Sequence, residues 1–382
     1  MFTPVSKLPN VGTTIFTVIS QRAKELGAIN LAQGFPDFAP PQLLQDLLGK
    51  AATESVHQYA PMTGTDALIQ QVLRLSIEAG LTSTTEANVT ITVGATEAIF
   101  STILALAHPG DEVIVFDPCY DAYVPAVELC NARAVRIPLQ LPDFHVDWQR
   151  VSDAINDRTR MIIINTPHNP SGAIWSQRDI NTLADLVRNT QIVVLSDEVY
   201  GGMVFDGAAH CSVQAHEELR ERSISVMSFG KLLHATGWRV GYALASEKLT
   251  QEIRRVHQFN TFSVAHPLQV AIAEFLQQTP EHLRSIAGFY QAKRDYFTGL
   301  LSQSKFQMIP TPATYFQVVD YSDMSDESDV QFANRLLREA GVATIPLSPF
   351  YEKPPALKLL RFCFAKREAT LAAAAEKLLD IF

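Results

Sequence analysis

Several signatures of common catalytic and binding sites are missing from this 382-residue sequence. The four cysteines, Cys119, Cys130, Cys211 and Cys363, form no C-x-x-C pair, so we expect reduced thiols rather than a disulfide framework. The ten histidines show no metal-ligand spacing, and we find neither H-E-x-x-H, nor G-x-S-x-G, nor a glycine-rich phosphate loop. These absences argue against a zinc hydrolase, a serine hydrolase and a P-loop nucleotide-binding enzyme.

Basic blocks and long apolar runs are missing as well. The chain has 31 Lys and Arg against 40 Asp and Glu, a formal net charge of −9, so we expect no binding to nucleic acid or to an anionic membrane. No apolar run approaches the roughly 20 residues that span a bilayer. Residues 1–7 also lack the charged and apolar regions of a secretory signal, and we therefore predict a cytoplasmic protein.

The sequence is rich in short apolar runs that alternate with helical stretches. Hydrophobic residues make up 47 % of the chain and charged residues 19 %, which is typical of a globular enzyme with a large core. Nearly continuous apolar runs separated by helices predict an α/β fold, with a mostly parallel central sheet flanked by helices. The predicted strands are 89–93, 113–116, 161–164, 192–195, 224–227 and 240–244, and the helices between them include 96–107 and 177–188. Right-handed crossovers would place the C-terminal end of every strand on the same side.

The C-terminal part has a different pattern, which predicts a smaller α+β domain built from both termini. Its predicted helices are 288–301, 329–340 and 368–379, and its predicted strands are 315–319 and 358–364. We expect residues 1–45 to join this small domain, residues 46–289 to form the large domain, and residues 290–382 to form the rest of the small domain.

Polar clusters follow the predicted strands at their C-terminal ends. They lie at 94–96, 117, 165–169, 197–200 and 228–231. Ligands of open α/β sheets bind outside the C-terminal strand ends, so these clusters are expected to converge on one crevice.

A lysine and a carboxylate in these clusters indicate a site for pyridoxal 5'-phosphate (PLP). Lys231 follows a buried strand, where desolvation would lower its pKa and favour covalent attachment of an aldehyde; the simpler interpretation is a solvated surface lysine. Asp197 would pair with the pyridinium nitrogen and keep the ring an electron sink; the alternative is a cap for a following helix.

Other polar residues would complete a PLP site, and each has a simpler interpretation. Tyr200 and Asn169 would reach the ring oxygen, unless they are a packing tyrosine and part of a turn. Thr96 opens a helix that would hold the phosphate together with Ser228 and Arg239, or it is only a helix cap. Tyr120, which would stack on the ring, is otherwise a core residue.

The substrate carboxylate is expected at a buried arginine. Arg361 lies in an apolar strand, where its planar fork suits a bidentate carboxylate; the alternative is a salt bridge between domains or at an edge strand. A backbone N–H of Gly34 would lie near the same carboxylate, unless residues 33–37 form a plain turn.

As an ordered set, these segments resemble the class I/II aminotransferases of PLP fold type I, within the branch of methionine aminotransferase and the kynurenine–oxoglutarate (glutamine K type) transaminases. The matching segments are 33–38, 58–61, 94–97, 165–172, 196–200, 228–231, 237–242 and 361–364, and they follow the family order over nearly the whole chain.

The resemblance implies a role for each matching residue. Lys231 would bind PLP covalently and shuttle the Cα proton, and Asp197 would pair with the ring nitrogen. The remaining roles are ring-oxygen contacts for Asn169 and Tyr200, ring stacking for Tyr120, phosphate contacts for Ala95, Thr96, Ser228 and Arg239, and carboxylate contacts for Arg361, Gly34 and Asn169. Tyr59 would reach into the active site of a partner, so the resemblance implies a homodimer.

We therefore predict a PLP-dependent aminotransferase that moves an amino group from an amino acid to a 2-oxo acid by a ping-pong mechanism. The favoured donors are methionine and aromatic amino acids. The main alternative is a carbon–sulfur β-lyase on the same fold, acting on cystathionine or cysteine conjugates. A non-catalytic effector-binding domain of a transcription regulator is a further alternative, but residues 1–30 are too short and too uncharged to supply its DNA-binding domain.

Overall fold

The computed structural model describes residues 4–54 and 56–381. Its α-helices are α1 (Ile15–Glu25), α2 (Gln42–Thr53), α3 (Asp66–Glu78), α4 (Gly94–Leu106), α5 (Tyr123–Leu129), α6 (Trp148–Ala154), α7 (Gln177–Val187), α8 (Glu217–Arg220), α9 (Phe229–Leu232), α10 (Glu247–Asn260), α11 (His266–Gln278), α12 (Glu281–Leu301), α13 (Asp329–Glu339) and α14 (Glu368–Leu379). The predicted helices 96–107, 177–188, 329–340 and 368–379 are confirmed to within two residues at each end. Helix α12 begins seven residues before its predicted start, because Gly288 lies inside the helix rather than at its beginning.

The strands are β1 (Ile29–Asn30), β2 (Val89–Thr92), β3 (Glu112–Asp117), β4 (Arg133–Pro138), β5 (Thr159–Asn165), β6 (Val193–Asp197), β7 (Ser223–Ser228), β8 (Gly241–Ala245), β9 (Gln307–Met308), β10 (Phe316–Asp320), β11 (Val342–Ala343), β12 (Ile345–Pro346) and β13 (Leu359–Cys363). Seven of them form the central sheet in the order β2-β8-β7-β6-β5-β3-β4. All six predicted strands of the large domain are present in this sheet, and the mostly parallel α/β architecture is confirmed.

Strand β8 runs against its neighbours. It is antiparallel to both β2 and β7, so the prediction that every strand would point the same way is wrong for this strand. The connection from β7 to β8 holds the four-residue helix α9 and a single 3-10 turn at Thr236–Trp238, and neither is long enough to carry the chain back across the sheet for a parallel pairing. Arg239 therefore reaches the functional edge from the N-terminal end of β8, whereas the other polar clusters reach it from C-terminal strand ends.

Strand β4 is absent from the sequence prediction. It pairs in parallel with β3 at the edge of the sheet. Arg133 and Arg136 interrupt its apolar pattern and Pro138 ends it, which is usual for an edge strand with one side open to solvent. A search for continuous apolar runs does not detect such a strand.

The central sheet is buried on both faces. Along β5, Ile162 and Ile164 pack with α7 on one side, whereas Met161 and Ile163 pack with α4 on the other. All four side chains are at most 1 % exposed. Because successive strand residues point to opposite faces, covering both sides requires the continuous apolar run that the sequence shows.

The C-terminal part forms a separate antiparallel sheet, in the order β12-β13-β10-β9. The short strand β1 pairs in parallel with β11, so the N-terminal segment lies beside this part of the chain. The division into residues 1–45, 46–289 and 290–382 stays a prediction. Within residues 4–54 and 56–381, no helix is both long and apolar enough to cross a membrane.

Candidate active site

A cavity of about 120 Å³ opens at the edge of the central sheet where four of the five polar clusters meet. The expectation is wrong for Asp117, which lies outside the cavity lining and pairs with Arg136. Strand pairing aligns the clusters, because Asn165 lies opposite Asp197 and Ser228 lies opposite Gly241. The cavity is lined by Ala95, Thr96, Ile99, Tyr120, Asn165, Asn169, Asp197, Val199, Tyr200, Ser228, Lys231 and Arg239. Nine of the predicted cofactor-binding residues therefore lie together, and Tyr59 is the tenth, which does not.

Lys231 lies in α9, directly after β7. The close turn requires Gly230, because a Cβ there would lie 3.0 Å from the Thr236 Cα and 3.1 Å from the Ala235 carbonyl oxygen. The Lys231 Nζ donates a hydrogen bond to the Tyr315 hydroxyl at 2.9 Å and lies 5.5 Å from the Tyr200 ring centroid. Burial lowers the pKa of Lys231 to about 8. With this pKa, roughly a tenth of the amine is unprotonated at pH 7 and about half at pH 8, and the unprotonated form is the one a nucleophile requires.

Asp197 ends β6 at the floor of the cavity and is 5 % exposed. Its carboxylate accepts a hydrogen bond from the Tyr123 hydroxyl at 2.7 Å and one from the Val199 backbone N–H at 3.3 Å. Burial raises the pKa of Asp197 to about 6, although the Tyr123 hydrogen bond and the Lys231 charge oppose the shift. The alternative that Asp197 caps a helix is wrong, because a turn follows it at residues 199–202.

One end of the cavity is suited to an anion such as a phosphate. Helix α4 begins there, and its first backbone N–H groups have no partner within the helix. The Arg239 guanidinium lies against Gly94, where a Cβ would be 2.8 Å from Nη2, and Nη2 donates to the Thr96 hydroxyl at 3.3 Å. Ser228 lies on the same side, in line with the start of β8. A hydroxyl, a guanidinium and a helix N-terminus thus meet at one point.

Arg361 lies behind Asn169 in the middle of β13 and is completely buried. Its Nη1 donates to the Asn169 Oδ1 at 2.7 Å and its Nη2 to the Ala32 carbonyl oxygen at 2.8 Å. Its Nε is buried without a hydrogen-bond partner, and no carboxylate pairs with the guanidinium among the described residues. Burial lowers the pKa of Arg361 to about 10. The salt-bridge alternative is wrong for the described residues, although the charge of Asp121 interacts with the guanidinium without forming a salt bridge.

The Phe316 ring lies between Gly34 and the Arg361 guanidinium and contacts both. A Cβ at Gly34 would lie 2.7 Å from the Phe316 ring, and that ring stacks on the Arg361 guanidinium at 3.9 Å from its centroid. Only a glycine allows this close approach. The structure therefore places Gly34, Asn169 and Arg361 together, as the carboxylate prediction requires.

Tyr59 is the one predicted cofactor-binding residue that does not line the cavity. Its side chain is 81 % exposed and packs edge-to-face against Phe262 at 5.2 Å. An aromatic residue this exposed is available for contact with another molecule.

Comparisons with known proteins agree with this geometry. Residues 27–378 match the sequence profile of aminotransferase class I and II. The chain belongs to this aminotransferase family. A methionine aminotransferase of Escherichia coli is 47 % identical over 98 % of this chain and 97 % of its own length. The human kynurenine–oxoglutarate transaminase 3 is 31 % identical over 98 % of this chain and 89 % of its own length.

A solved structure confirms the fold of this aminotransferase. YbdL from Escherichia coli, for which a methionine aminotransferase function has been identified, superposes with a TM-score of 0.97 at 46 % identity and full coverage of both chains. The relatives named here are aminotransferases, so they support the transaminase prediction and offer no support for the β-lyase alternative.

Three residues of the aminotransferase site were not given a role from the sequence. Tyr123 contacts Asp197, and Tyr315 contacts Lys231. The Asn165 side chain accepts from the Asn169 N–H at 2.8 Å and donates to the Asp197 carbonyl oxygen at 2.9 Å. Asn165 lies in one of the strand-end clusters, so its role could have been predicted from the sequence. Tyr123 and Tyr315 lie 74 and 84 residues along the chain from their partners, and no local sequence pattern predicts such contacts.

The raised pKa of Asp197 predicts that this residue destabilises the cofactor-free protein. Its folded pKa of about 6 lies above the ordinary 3.8, so the cost of the buried charge is fully present above pH 6 and disappears below about pH 4. We expect Asp197→Asn to raise the free energy of unfolding of the cofactor-free enzyme by roughly 1–3 kcal/mol at pH 8 and to abolish turnover. Thermal unfolding at pH 8 and at pH 4 would measure this. An equal stability difference at both pH values would contradict the assignment.

Proposed function

We propose that this aminotransferase binds PLP in the cavity and transfers the amino group of methionine or an aromatic amino acid to a 2-oxo acid. One observation carries the proposal. A buried lysine amine with a lowered pKa shares the cavity with the buried carboxylate of Asp197, and the unpaired guanidinium of Arg361 lies just behind Asn169. A covalent cofactor, a protonated ring nitrogen and a substrate carboxylate need these three groups.

The residues at the two ends of the cavity fit the proposed cofactor. Thr96, Ser228 and Arg239, together with the α4 backbone N–H groups, are donors for a phosphate dianion. Asp197 lines the same cavity, and its carboxylate would pair with the ring nitrogen. Between them, Tyr120 is in place to stack on the ring, and Asn169 and Tyr200 line the wall as donors for the ring oxygen.

When bound, PLP supplies an aldehyde that takes up the amino group and a ring that accepts the electrons of the Cα–H bond. Arg361, Asn169 and Gly34 hold the substrate carboxylate and thereby orient the Cα–H bond. Lys231 would remove the Cα proton with its unprotonated amine and deliver it to the former aldehyde carbon of the cofactor, after which water releases the first 2-oxo acid. Asp197 would keep a proton at the ring nitrogen. A second 2-oxo acid would bind to the same residues, and Lys231 would then carry a proton in the opposite direction.

The donor preference is supported by one relative and by the surroundings of Arg361. The Escherichia coli relative at 47 % identity is a methionine aminotransferase. Phe16 lies 5.1 Å from the Arg361 guanidinium and 5.4 Å from Phe350, so apolar rings border the place where a substrate side chain would extend. Burial of an uncharged side chain such as that of methionine is favourable there.

The substrate proposal is tested by a panel of donors and acceptors on the purified PLP-loaded enzyme. We expect methionine and phenylalanine to yield their 2-oxo acids together with the amino acid formed from the acceptor. A cysteine conjugate is the matched substrate for the alternative activity. Release of pyruvate and ammonia from it, without amino transfer from methionine, would replace the proposal with the β-lyase.

We also propose that the enzyme is a cytoplasmic homodimer in which Tyr59 contributes to the partner's cofactor site. The exposure of Tyr59 and its position outside the chain's own cavity support this proposal.

The dimer is tested with hybrids of two inactive variants. We expect Tyr59→Ala to lower turnover at least about tenfold, because the proposed hydrogen bond from Tyr59 to the charged cofactor in the partner's site is lost. Subunits of Tyr59→Ala and Lys231→Ala are mixed under conditions that allow exchange. A hybrid then has one site with both defects and one intact site, so random exchange should restore roughly a quarter of wild-type activity.

The matched control mixes Lys231→Ala with Arg361→Ala. Both of these residues belong to the site of their own chain, so each site of the hybrid keeps one defect and no activity returns. Failure of the Tyr59 mixture to regain activity would show that Tyr59 does not act across a dimer interface.

A further inference from the structure

Tyr315 has no role in the mechanism proposed above, yet its hydroxyl contacts the proposed catalytic amine. The Lys231 Nζ donates to the Tyr315 hydroxyl oxygen at 2.9 Å. The Tyr315 side chain is completely buried, and its ring packs edge-to-face against Tyr200 at 5.1 Å. The position of this hydroxyl is therefore fixed by packing rather than by solvent.

The direction of the hydrogen bonds at Tyr315 follows from its second partner. The hydroxyl donates to the Gly34 carbonyl oxygen at 2.6 Å. A phenol has one proton, so the same oxygen must act as the acceptor for Lys231. Burial raises the pKa of Tyr315 well above its ordinary value, so the hydroxyl stays protonated and continues to donate to the Gly34 carbonyl oxygen. Lys231 thus donates whether its amine is neutral or charged.

Gly34 connects this hydrogen bond to the carboxylate end of the site. Its backbone lies against the Phe316 ring, which stacks on Arg361. A continuous set of contacts therefore runs from Arg361 through Phe316, Gly34 and Tyr315 to the Lys231 amine. The Cα of a substrate whose carboxylate is held by Arg361 would lie between the two ends of this set.

We propose that Tyr315 is a positioning residue that holds the freed Lys231 amine against substrate Cα during proton transfer. The inference rests on the function proposed above and adds a residue to it. In the step itself the proton leaves Cα and bonds to the Nζ lone pair, and the electron pair of the C–H bond remains on the substrate side. The phenol proton stays on the Tyr315 oxygen and remains hydrogen-bonded to the Gly34 carbonyl oxygen, so Tyr315 neither gains nor loses a proton.

A lysine amine needs such an anchor because its four-carbon chain is flexible. One hydrogen bond to a fixed oxygen restricts the amine to a small arc, and proton transfer depends steeply on that placement. Tyr200 contacts the amine through its ring, with Nζ 5.5 Å from the ring centroid. The hydroxyl oxygen that accepts the hydrogen bond from Nζ is that of Tyr315, at 2.9 Å.

The variant Tyr315→Phe removes only the hydroxyl and tests the proposal in the PLP-loaded enzyme. We expect exchange of the methionine Cα hydrogen with solvent to slow by about 10- to 100-fold, with KM and cofactor affinity changed less than about twofold. The deuterium isotope effect on kcat, measured with Cα-deuterated methionine, should rise because proton transfer becomes rate-limiting.

A second readout uses the cofactor-free protein and involves no turnover. Lys231 is labelled with acetic anhydride at pH 7 and quantified by peptide mass spectrometry. Loss of the acceptor destabilises the charged amine, so we expect labelling of Lys231 in Tyr315→Phe to be roughly three- to tenfold faster than in the wild type. The charged and titratable neighbours of the amine are the same in both proteins: Asp197, Tyr200, Arg239, Arg361 and Cys363.

Tyr290→Phe is the matched control. Tyr290 is equally buried and its ring lies 5.6 Å from that of Tyr315, but its hydroxyl pairs with the His234 Nδ1 at 2.9 Å and not with Lys231. We expect Tyr290→Phe to exchange the Cα hydrogen of methionine, and to be labelled at Lys231, at the same rates as the wild type.

Two outcomes would overturn the positioning role. One is Cα exchange in Tyr315→Phe within twofold of the wild type, and the other is an equal loss in Tyr315→Phe and Tyr290→Phe, which would indicate packing alone. Failure of the proposed function is recognised separately, because then the wild-type enzyme itself would not exchange the Cα hydrogen of methionine.

Discussion

Lys231→Ala is expected to abolish transamination, lowering turnover by at least about 10⁴-fold. The amine has two tasks in the proposed mechanism, covalent attachment of PLP and transfer of the Cα proton, and proton transfer alone contributes about 10²- to 10⁴-fold. The visible absorbance of the covalently attached cofactor should disappear as well. Spectra and donor turnover of the purified variant measure both effects.

Two further variants separate chemistry from folding. Lys231→Arg retains a positive charge but cannot attach the cofactor, so it should be as inactive as the alanine variant. Lys293→Ala is the matched control, because Lys293 is also partly buried but donates to the Lys366 carbonyl oxygen outside the cavity. Retention of turnover in Lys231→Ala would refute the assignment of the catalytic lysine.

The architecture around Lys231 was predictable to the extent that it depends on burial. Strands covered on both faces must be continuous apolar runs, and β5 to β7 are such runs in the sequence. The polar residues that follow them are conspicuous because nothing in the core requires them. Position singled out Asn169, Asp197 and Lys231 as candidates, and the resemblance to the aminotransferases supplied their roles, which stay predictions.

The parts that were missed depend on pairing rather than on burial. The reversed direction of β8 follows from the length of the preceding connection, and edge strand β4 has charged residues that hide its pattern. The contact between Tyr315 and Lys231 joins two elements far apart in the chain, and a tyrosine in an apolar strand looks like any core residue. Such contacts are properties of the tertiary structure and leave no local trace.

Arg361 is the second residue whose loss should have a large effect, and here the effect should fall on substrate binding. Among the described residues no carboxylate forms a salt bridge with the buried guanidinium, and its Nε has no hydrogen-bond partner. The Arg361 guanidinium is already removed from water in the free protein, so binding a substrate carboxylate incurs no further desolvation cost at this arginine. Removal of one member of a buried charge pair costs about 2–5 kcal/mol, so we expect Arg361→Lys to lower kcat/KM for methionine by about 10²- to 10³-fold. The lysine keeps the charge but loses the bidentate fork.

The substrate provides the matched control for this variant. The amine 3-methylthiopropylamine is methionine without its carboxylate, so wild type and Arg361→Lys should turn it over equally slowly. Arg294→Ala, which removes a largely buried arginine paired with Asp206 instead, should leave kcat/KM for methionine unchanged. The absorbance of the bound cofactor should be retained in both variants, because in the proposed mechanism Arg361 binds the substrate and not PLP. An equal loss with methionine and with the amine would contradict carboxylate binding and indicate that Arg361 only supports Asn169.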